Sequence, residues 1–171
     1  MALDALAGLK RLPLLVMPAP AVGIFDTRGS ARRGITLAVA AQDPSNLGAI
    51  LRSALAFEVD QVVLLAECAY PFLPRVTRAS AGANFRVALS KGPSINALDT
   101  NWIALDIKGD SLDQARLPPD CAFLMGEEGL GIPDDFRGRR LKIPISPRAE
   151  SLNVAVAAGI VLAAYRRTYP L

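Results

Sequence analysis

The sequence predicts an α/β fold in which a mostly parallel sheet is flanked by helices. Several short apolar runs have the length of strands, and helix-like stretches lie between several of them. Because these runs are apolar at consecutive positions, they are typical of strands buried on both faces, as in parallel sheets. Strands that alternate with helices along the chain indicate the α/β class. The length of 171 residues suits a single domain.

The first 33 residues are expected to form an N-terminal arm, and residues 34–171 the folded domain. The arm combines a possible short helix, a proline-rich stretch and a charged segment, and it is too short to bury a core of its own. Predicted strands cover residues 35–41, 61–65, 85–90, 102–107, 121–125 and 141–145. Predicted helices cover residues 46–57, 74–81, 95–98 and 152–167.

The composition excludes several kinds of chemistry. The chain contains no histidine and two cysteines, which excludes Ser-His-Asp and Cys-His catalysis and zinc sites rich in histidine or cysteine. Cys68 and Cys121 are expected to be buried, reduced thiols. No secretory signal is visible, and no apolar stretch reaches the roughly 20 residues that span a bilayer. We therefore expect a cytoplasmic protein without membrane association.

A first candidate motif lies at residues 43–57, where a turn after a buried strand opens a helix. Ser45 or Asn46 is a plausible N-cap of this helix. Arg52 lies off its apolar stripe, between Ala49 and Ala56, so its long side chain has room to enter a cleft. The alternative interpretation is an ordinary surface arginine.

A second candidate motif combines three glycines with two carboxylates directly after a buried strand. Gly126, Gly129 and Gly131 would allow close approach of a ligand to the backbone. The spacing is neither that of a Walker loop nor that of a dinucleotide-binding fingerprint. Glu127 and Glu128 would repel a pyrophosphate and suit a cationic ligand or a hydroxyl. The alternative is a glycine turn with solvated acids.

A third candidate motif opens the last helix. Ser151 can cap it, and residues 152–164 are apolar almost all round except for Asn153. A helix of this kind must be covered on every side, which in a small protein suggests a second subunit. Ser151 and Asn153 are candidates for binding a ligand, or they merely cap the helix.

The ordered trio N-x-G-x3-R at 46–52, G-x-E-G at 126–129 and E-S-L-N at 150–153 resembles the three motifs of the SpoU/TrmH family. Those proteins are RNA 2′-O-ribose methyltransferases of the SPOUT class. The segment RASAGA at 78–83 is also similar to the family. The resemblance implies a deep C-terminal trefoil knot and a homodimer with each active site at the interface. It also implies methylation of a ribose 2′-hydroxyl in tRNA or rRNA, with S-adenosyl-L-methionine as methyl donor, S-adenosyl-L-homocysteine as product and no metal.

Carried over motif by motif, the resemblance assigns site residues. The expected catalytic residues are Asn46, Arg52, Glu128, Ser151 and Asn153. The expected cofactor-binding residues are Leu124, Met125, Gly126, Gly131, Ile143, Ile145 and Leu152. We expect Arg52 to position the substrate rather than to act as a base, because a guanidinium has a pKa above about 12.

Basic residues are expected to contact RNA phosphates, which position RNA without reading its sequence. The candidates are Arg32, Arg33, Arg78 and Arg139, in three clusters that also include Arg28, Arg75, Arg137 and Arg140. One alternative function is a catalytically weak or inactive, family-like dimer that binds RNA or cofactor. Another is a nucleotide-dependent enzyme of small metabolites, which the absence of a glycine fingerprint and a P-loop disfavours.

Overall fold

The computed structural model describes residues 18–26 and 34–171. Its strands are β1 (Gly23–Ile24), β2 (Ile35–Val39), β3 (Gln61–Leu64), β4 (Leu89–Lys91), β5 (Ile103–Ser111), β6 (Cys121–Met125) and β7 (Arg139–Lys142). Its helices are α1 (Pro44–Ala56), α2 (Pro74–Ala79) and α3 (Val154–Thr168), with 3₁₀ turns at Ala83–Phe85, Ile95–Ala97 and Leu112–Gln114. The strands of this described part form one seven-stranded sheet in the order β1-β4-β3-β2-β6-β5-β7.

Every neighbouring pair of strands in this sheet is parallel, which confirms the predicted α/β class. The central strands β2 and β6 are buried at every residue. Leu37 on one face packs in a cluster with α1 and α3, whereas Ala38 on the other packs in a cluster with Trp102. Burial on both faces explains why these strands read as continuous apolar runs.

The predicted bounds are wrong where the pattern is less regular. The predicted strand at 85–90 forms only as β4, because the chain is still in the Ala83–Phe85 turn that follows α2. The predicted helix at 95–98 is a single 3₁₀ turn. Strand β5 extends beyond residue 107, and its second half is largely exposed. It pairs with β7 through a register shift between Leu105 and Asp110.

Among the capping residues proposed at the candidate motifs, Ser45, Asn46 and Ser151 are wrong, whereas Asn153 is confirmed. The cap of α1 is Asp43, whose carboxylate accepts hydrogen bonds from the backbone N–H groups of Ser45 at 2.5 Å and Asn46 at 3.3 Å. The helix begins one residue later at Pro44, whose fixed φ suits the first helical position. Asn153, not Ser151, caps α3 through the backbone N–H groups of Ala155 and Val156.

Part of the N-terminal arm lies at the edge of the sheet. Strand β1 pairs with β4, and the ring of Phe25 lies 5.9 Å from that of Trp102. The other predictions for residues 1–33, including Arg28, Arg32 and Arg33, fall outside the described residues. In the part of the chain that is described, no helix has both the length and the apolar character to cross a membrane.

Candidate active site

A cavity of about 670 Å³ opens at the carboxyl end of β6, beside the middle of β5. Its walls are the middle of β5, the glycine loop after β6, the segment after β7 and the start of α3, with Asn46 of α1 at one side. The carboxyl edge of a parallel sheet is the usual ligand-binding edge of α/β folds. The volume lies within the range of roughly 300–1,000 Å³ typical of small-molecule sites.

The loop after β6 is closed tightly by its glycines. Glu127 and Gly131 exchange two backbone hydrogen bonds, of 3.0 and 2.8 Å. A Cβ atom on Gly126 would lie 2.5 Å from the carbonyl oxygen of Gly131, and Gly129 and Gly131 have φ angles of +86° and +72°. Larger side chains would push this loop open or strain it. The glycines therefore bring bare backbone to the cavity wall.

A chain of hydrogen bonds joins the three sequence motifs beside the cavity. Glu128 accepts one hydrogen bond from the side-chain Nδ2 of Asn46 at 2.8 Å and one from the backbone N–H of Asp43 at 3.1 Å. Asn46 Oδ1 accepts from Asn153 Nδ2 at 2.9 Å, and Asn153 Oδ1 caps α3. Since a carboxylate only accepts, Glu128 fixes which way both amides point.

The expected cofactor-binding residues are brought together with one exception. The cavity is lined by Met125, Gly126, Gly131, Ile143, Ile145 and Leu152. Leu124 is fully buried in the cluster on the opposite face of the sheet. Its side chain therefore packs in the core, because successive residues of a strand point to opposite faces.

The expected catalytic residues are also brought together in part. The cavity is lined by Asn46, Glu128, Ser151 and Asn153. Arg52 lies on an exposed position of α1 and does not line this cavity. The Arg52 guanidinium is therefore separate from the cavity that the other four residues line.

The arginines expected to contact RNA have different surroundings. Arg78 is exposed on α2, and Arg139 is exposed and donates to the carbonyl oxygen of Arg116 at 3.1 Å. Arg140 is expected to be a surface cation of the same cluster, and this expectation is wrong. Its side chain is 15% exposed, pairs with Asp106 and donates to the carbonyl oxygen of Pro133 at 2.7 Å.

The wall formed by the middle of β5 was missed by the sequence reasoning. Leu105, Asp106, Ile107 and Lys108 line the cavity there. Lys108 donates a 2.6 Å hydrogen bond to Asp134, which raises the pKa of Lys108 and lowers that of Asp134. The available signal was the run LDIKGD at 105–110, in which charged residues follow a buried strand at the ligand-binding edge.

Comparisons with known proteins agree with this geometry. The model of the SpoU rRNA Methylase family matches residues 35–163. A similar curated protein is "Ribosomal RNA small subunit methyltransferase G 2" of Syntrophobacter fumaroxidans, 40% identical over 160 residues, which cover 92% of this chain and 32% of that protein. The chain spans between 32% and 54% of the length of the first curated relatives it matches.

Two solved structures are similar over most of the chain. One is an AdoMet-bound rRNA methyltransferase from Sinorhizobium meliloti, with 28% identity and a TM-score of 0.70, covering 84% of this chain and 58% of that one. The other is an RNA 2′-O ribose methyltransferase, with 28% identity and a TM-score of 0.71, covering 89% and 62% of the two chains. The seven-stranded sheet is thus the sheet of a known group of methyltransferases.

Proposed function

The chain belongs to the SpoU rRNA methylase family, and on that premise we propose that it methylates a ribose 2′-hydroxyl of tRNA or rRNA with S-adenosyl-L-methionine. The observation that carries the proposal is the hydrogen-bonded chain Glu128–Asn46–Asn153 at the edge of the cavity. It joins three motifs that are far apart in sequence. Further support comes from the similar structures, one with bound AdoMet and one named as a 2′-O ribose methyltransferase.

The residues of the cavity suit this cofactor. Backbone of the tight loop at Gly126 and Gly131 and the apolar side chains of Ile143, Ile145 and Leu152 would hold it. When bound, the cofactor supplies a methyl group on a sulfonium, which passes to the ribose oxygen as the hydroxyl proton leaves and S-adenosyl-L-homocysteine remains. A ligand of that size needs a preformed, partly apolar cleft with a few polar groups, as found here.

The polar groups of the chain would orient the ribose. Ser151 and Asn153 are exposed at the cavity, so the hydroxyl of Ser151 and the second N–H of Asn153 Nδ2 can be offered to a substrate hydroxyl. Glu128 uses one oxygen for Asn46 and the other for Asp43, which makes it a positioning group for the two amides. Alignment of this kind can contribute roughly 7–11 kcal/mol in well-oriented intramolecular reactions.

Arg52 fits the proposal through a second subunit. In the homodimer that the motifs imply, the exposed guanidinium on α1 of one chain would reach the substrate at the cavity of its partner. The support is that Arg52 is exposed and lies outside the cavity of its own chain. The predicted trefoil knot, the division at residue 33 into an arm and one folded domain, and the cytoplasmic location belong to the same proposal.

A mixing experiment tests this assignment of Arg52. We expect Arg52→Ala and Glu128→Gln each to lose methyl transfer to tRNA or rRNA from labelled S-adenosyl-L-methionine. A mixture of the two, unfolded and refolded together, should recover about a quarter of wild-type activity, because half of the dimers then carry one intact site. Arg167→Ala, an exposed arginine on α3, is the matched control. No recovery, with folded dimers present, would contradict a shared site.

An inactive dimer that binds RNA or cofactor is the second candidate. It is the alternative explanation of why Arg52 does not line the cavity of its own chain. Cofactor binding by calorimetry without methyl transfer to any tRNA or rRNA pool would establish it in place of the enzyme.

A further inference from the structure

Three aromatic rings form an exposed group in the segment of the chain that connects β3 to β4. The side chains of Tyr70 and Phe85 are 52% and 50% exposed. The ring of Phe72 lies 5.7 Å from Tyr70 in an edge-on arrangement and 5.5 Å from Phe85 in a stacked one. Contiguous exposed apolar surface of this kind marks a contact site. We call Tyr70, Phe72 and Phe85 the aromatic platform.

The backbone under the aromatic platform is held by a buried amide. Asn84, which is 1% exposed, donates from Nδ2 to the carbonyl oxygen of Pro71 and to Thr77 Oγ1, both at 3.0 Å. Its Oδ1 accepts from the hydroxyl of Ser80, also buried, at 3.0 Å. These bonds tie the loop of Tyr70 and Phe72 to the turn of Phe85. The rings are therefore ordered before any partner arrives, which lowers the entropic cost of binding.

The surroundings of the aromatic platform are positively charged. Residues 68–98 include Arg75, Arg78, Arg86 and Lys91 and contain no Asp or Glu. Arg78 on α2 and Arg86 directly after Phe85 are both exposed. Arg75 is paired with Asp43, so Arg78 and Arg86 are the exposed cations offered to a ligand here. Rings beside exposed arginines suit a polyanion whose bases can stack.

The aromatic platform is also joined to the candidate active site. Arg75 lies three residues after Phe72, and its Nε donates to Ser45 Oγ at 2.7 Å. Its guanidinium also lies 3.6 Å from the carboxylate of Asp43. The next residue after Ser45 is Asn46, which lines the cavity. The start of α2, which follows the loop of the platform, is therefore held against the start of α1 beside the cavity.

We propose that the aromatic platform stacks unpaired bases next to the target nucleotide while Arg78 and Arg86 contact the phosphates. The inference rests on the proposed function and narrows its substrate to RNA that is single-stranded or looped at this point, since paired bases present no free face to a ring. A second copy of the chain fits less well. A twofold interface centred on this patch would bring the patch against itself and oppose arginines to arginines.

Binding of RNA to the full chain tests the proposal. The probe is a single-stranded RNA of about 12 nucleotides that contains 2-aminopurine, compared with the same strand in a duplex. Tyr70→Leu/Phe85→Leu removes the rings and keeps apolar bulk, and Tyr70→Phe/Phe85→Tyr keeps both rings as the matched control. We expect the leucine pair to weaken single-strand binding about tenfold or more and to lose the fluorescence quenching that stacking causes. The control should stay within about twofold of wild type, since it retains both stacking surfaces.

Three results would overturn the proposal. In the first, the leucine pair binds single-stranded RNA as tightly as wild type does. In the second, wild type binds the duplex as tightly as the single strand. In the third, the leucine pair loses the dimer in sedimentation, which would make the surface a contact between copies. Methyl transfer measured on the same preparations separates this inference from the proposed function. Ring-dependent RNA binding without methyl transfer would remove the function and keep the platform. Methyl transfer together with RNA binding that does not depend on the rings would keep the proposed function and remove the platform.

Discussion

Glu128 is the residue on which the orientation of the candidate site depends. Its two oxygens accept from Asn46 Nδ2 and from the backbone N–H of Asp43, and Asn46 in turn accepts from Asn153. Both oxygens of a carboxylate are acceptors, so Glu128 can accept these two hydrogen bonds whichever way its carboxylate is turned. One side chain therefore sets the direction of two amides and joins the starts of α1 and α3.

Replacing Glu128 by Gln tests this role with little change in shape. A glutamine places one N–H₂ group against a donor, either Asn46 Nδ2 or the N–H of Asp43, so one hydrogen bond is lost. We expect a loss of about 1–3 kcal/mol of stability for the unpaired donor. Denaturant unfolding measures it, and Glu127→Gln, whose partner Gln42 can turn its amide, is the control. An unchanged midpoint for Glu128→Gln would show that the two hydrogen bonds do not matter.

The protonation of the two cysteine thiols reports how far each one is removed from solvent. Both cysteines are free; Cys121 is buried as predicted, whereas Cys68 is only partly buried. Desolvation raises the pKa of each thiol from 9.0 to about 12. The folded state therefore holds these protons more tightly than the unfolded state. This contribution to stability is complete below pH 9 and is lost between pH 9 and 12.

Thiol reactivity should follow the same order. At pH 8 we expect both cysteines of the folded chain to react slowly with iodoacetamide and to react fast once the chain is unfolded, because the thiolate is the nucleophile. Labelling followed by mass spectrometry assigns the rate to each cysteine. Fast labelling of Cys68 at pH 8 in the folded chain would show that its surroundings do not disfavour the thiolate.

At the scale of elements, close packing of α1 on α2 explains the glycine in the first motif. A Cβ atom on Gly48 would lie 2.5 Å from the Cβ of Ala79 and 2.8 Å from the carbonyl oxygen of Val76. The two helices would have to move apart. The third position of N-x-G-x3-R is thus set by the approach of a neighbouring helix that holds Arg75 against Ser45.

Two glycine-to-alanine changes should have opposite effects on stability. Gly48→Ala should lower the free energy of unfolding by about 1–3 kcal/mol through overpacking. Gly159→Ala in α3 should raise it by about 0.5–1 kcal/mol, because among the described residues its Cβ would meet only Ser53 Oγ at 3.9 Å and alanine is the better helix former. Thermal unfolding of both variants measures this. A stabilised Gly48→Ala would mean that α1 and α2 are free to separate.

The elements that could be predicted are those whose pattern is local. Strands β2 and β6, helix α1 and the glycine loop each follow from a continuous apolar run, an apolar stripe or glycine spacing. The second half of β5 could not be predicted, because it is held by β7 and is largely exposed. Asp106 and Arg140, which pair across those two strands, likewise depend on a contact between distant residues.

The candidate site shows the same division. Its motifs could be ordered from the sequence, and Asn46, Glu128, Ser151 and Asn153 lie together at the cavity. The sequence could not show that Asp43 caps α1, since Asp43, Ser45 and Asn46 are all good capping residues and the choice depends on where Pro44 begins the helix. The apolar stripe of α1 shows which face packs on the core, but it does not show whether the remaining face points into the cavity. The position of Arg52 outside the cavity therefore could not be predicted.

At the scale of the whole molecule, the carboxyl edge of a parallel sheet brings together segments from β5, β6, β7, α1 and α3. The start of α2, which follows the loop of the aromatic platform, is held against the start of α1 through Arg75 and Ser45, and Asn46 of α1 lines the cavity. Family membership and this arrangement together lead to the central claim, which is methyl transfer to a ribose oxygen of RNA.

Nucleoside mass spectrometry tests that claim most directly. The chain is incubated with tRNA or rRNA and deuterium-labelled S-adenosyl-L-methionine, and the RNA is digested to nucleosides. The account predicts a labelled methyl group on the ribose fragment, dependent on Arg52 and Glu128. A labelled methyl group on the base fragment, or no labelled nucleoside from a preparation that binds the cofactor, would contradict it.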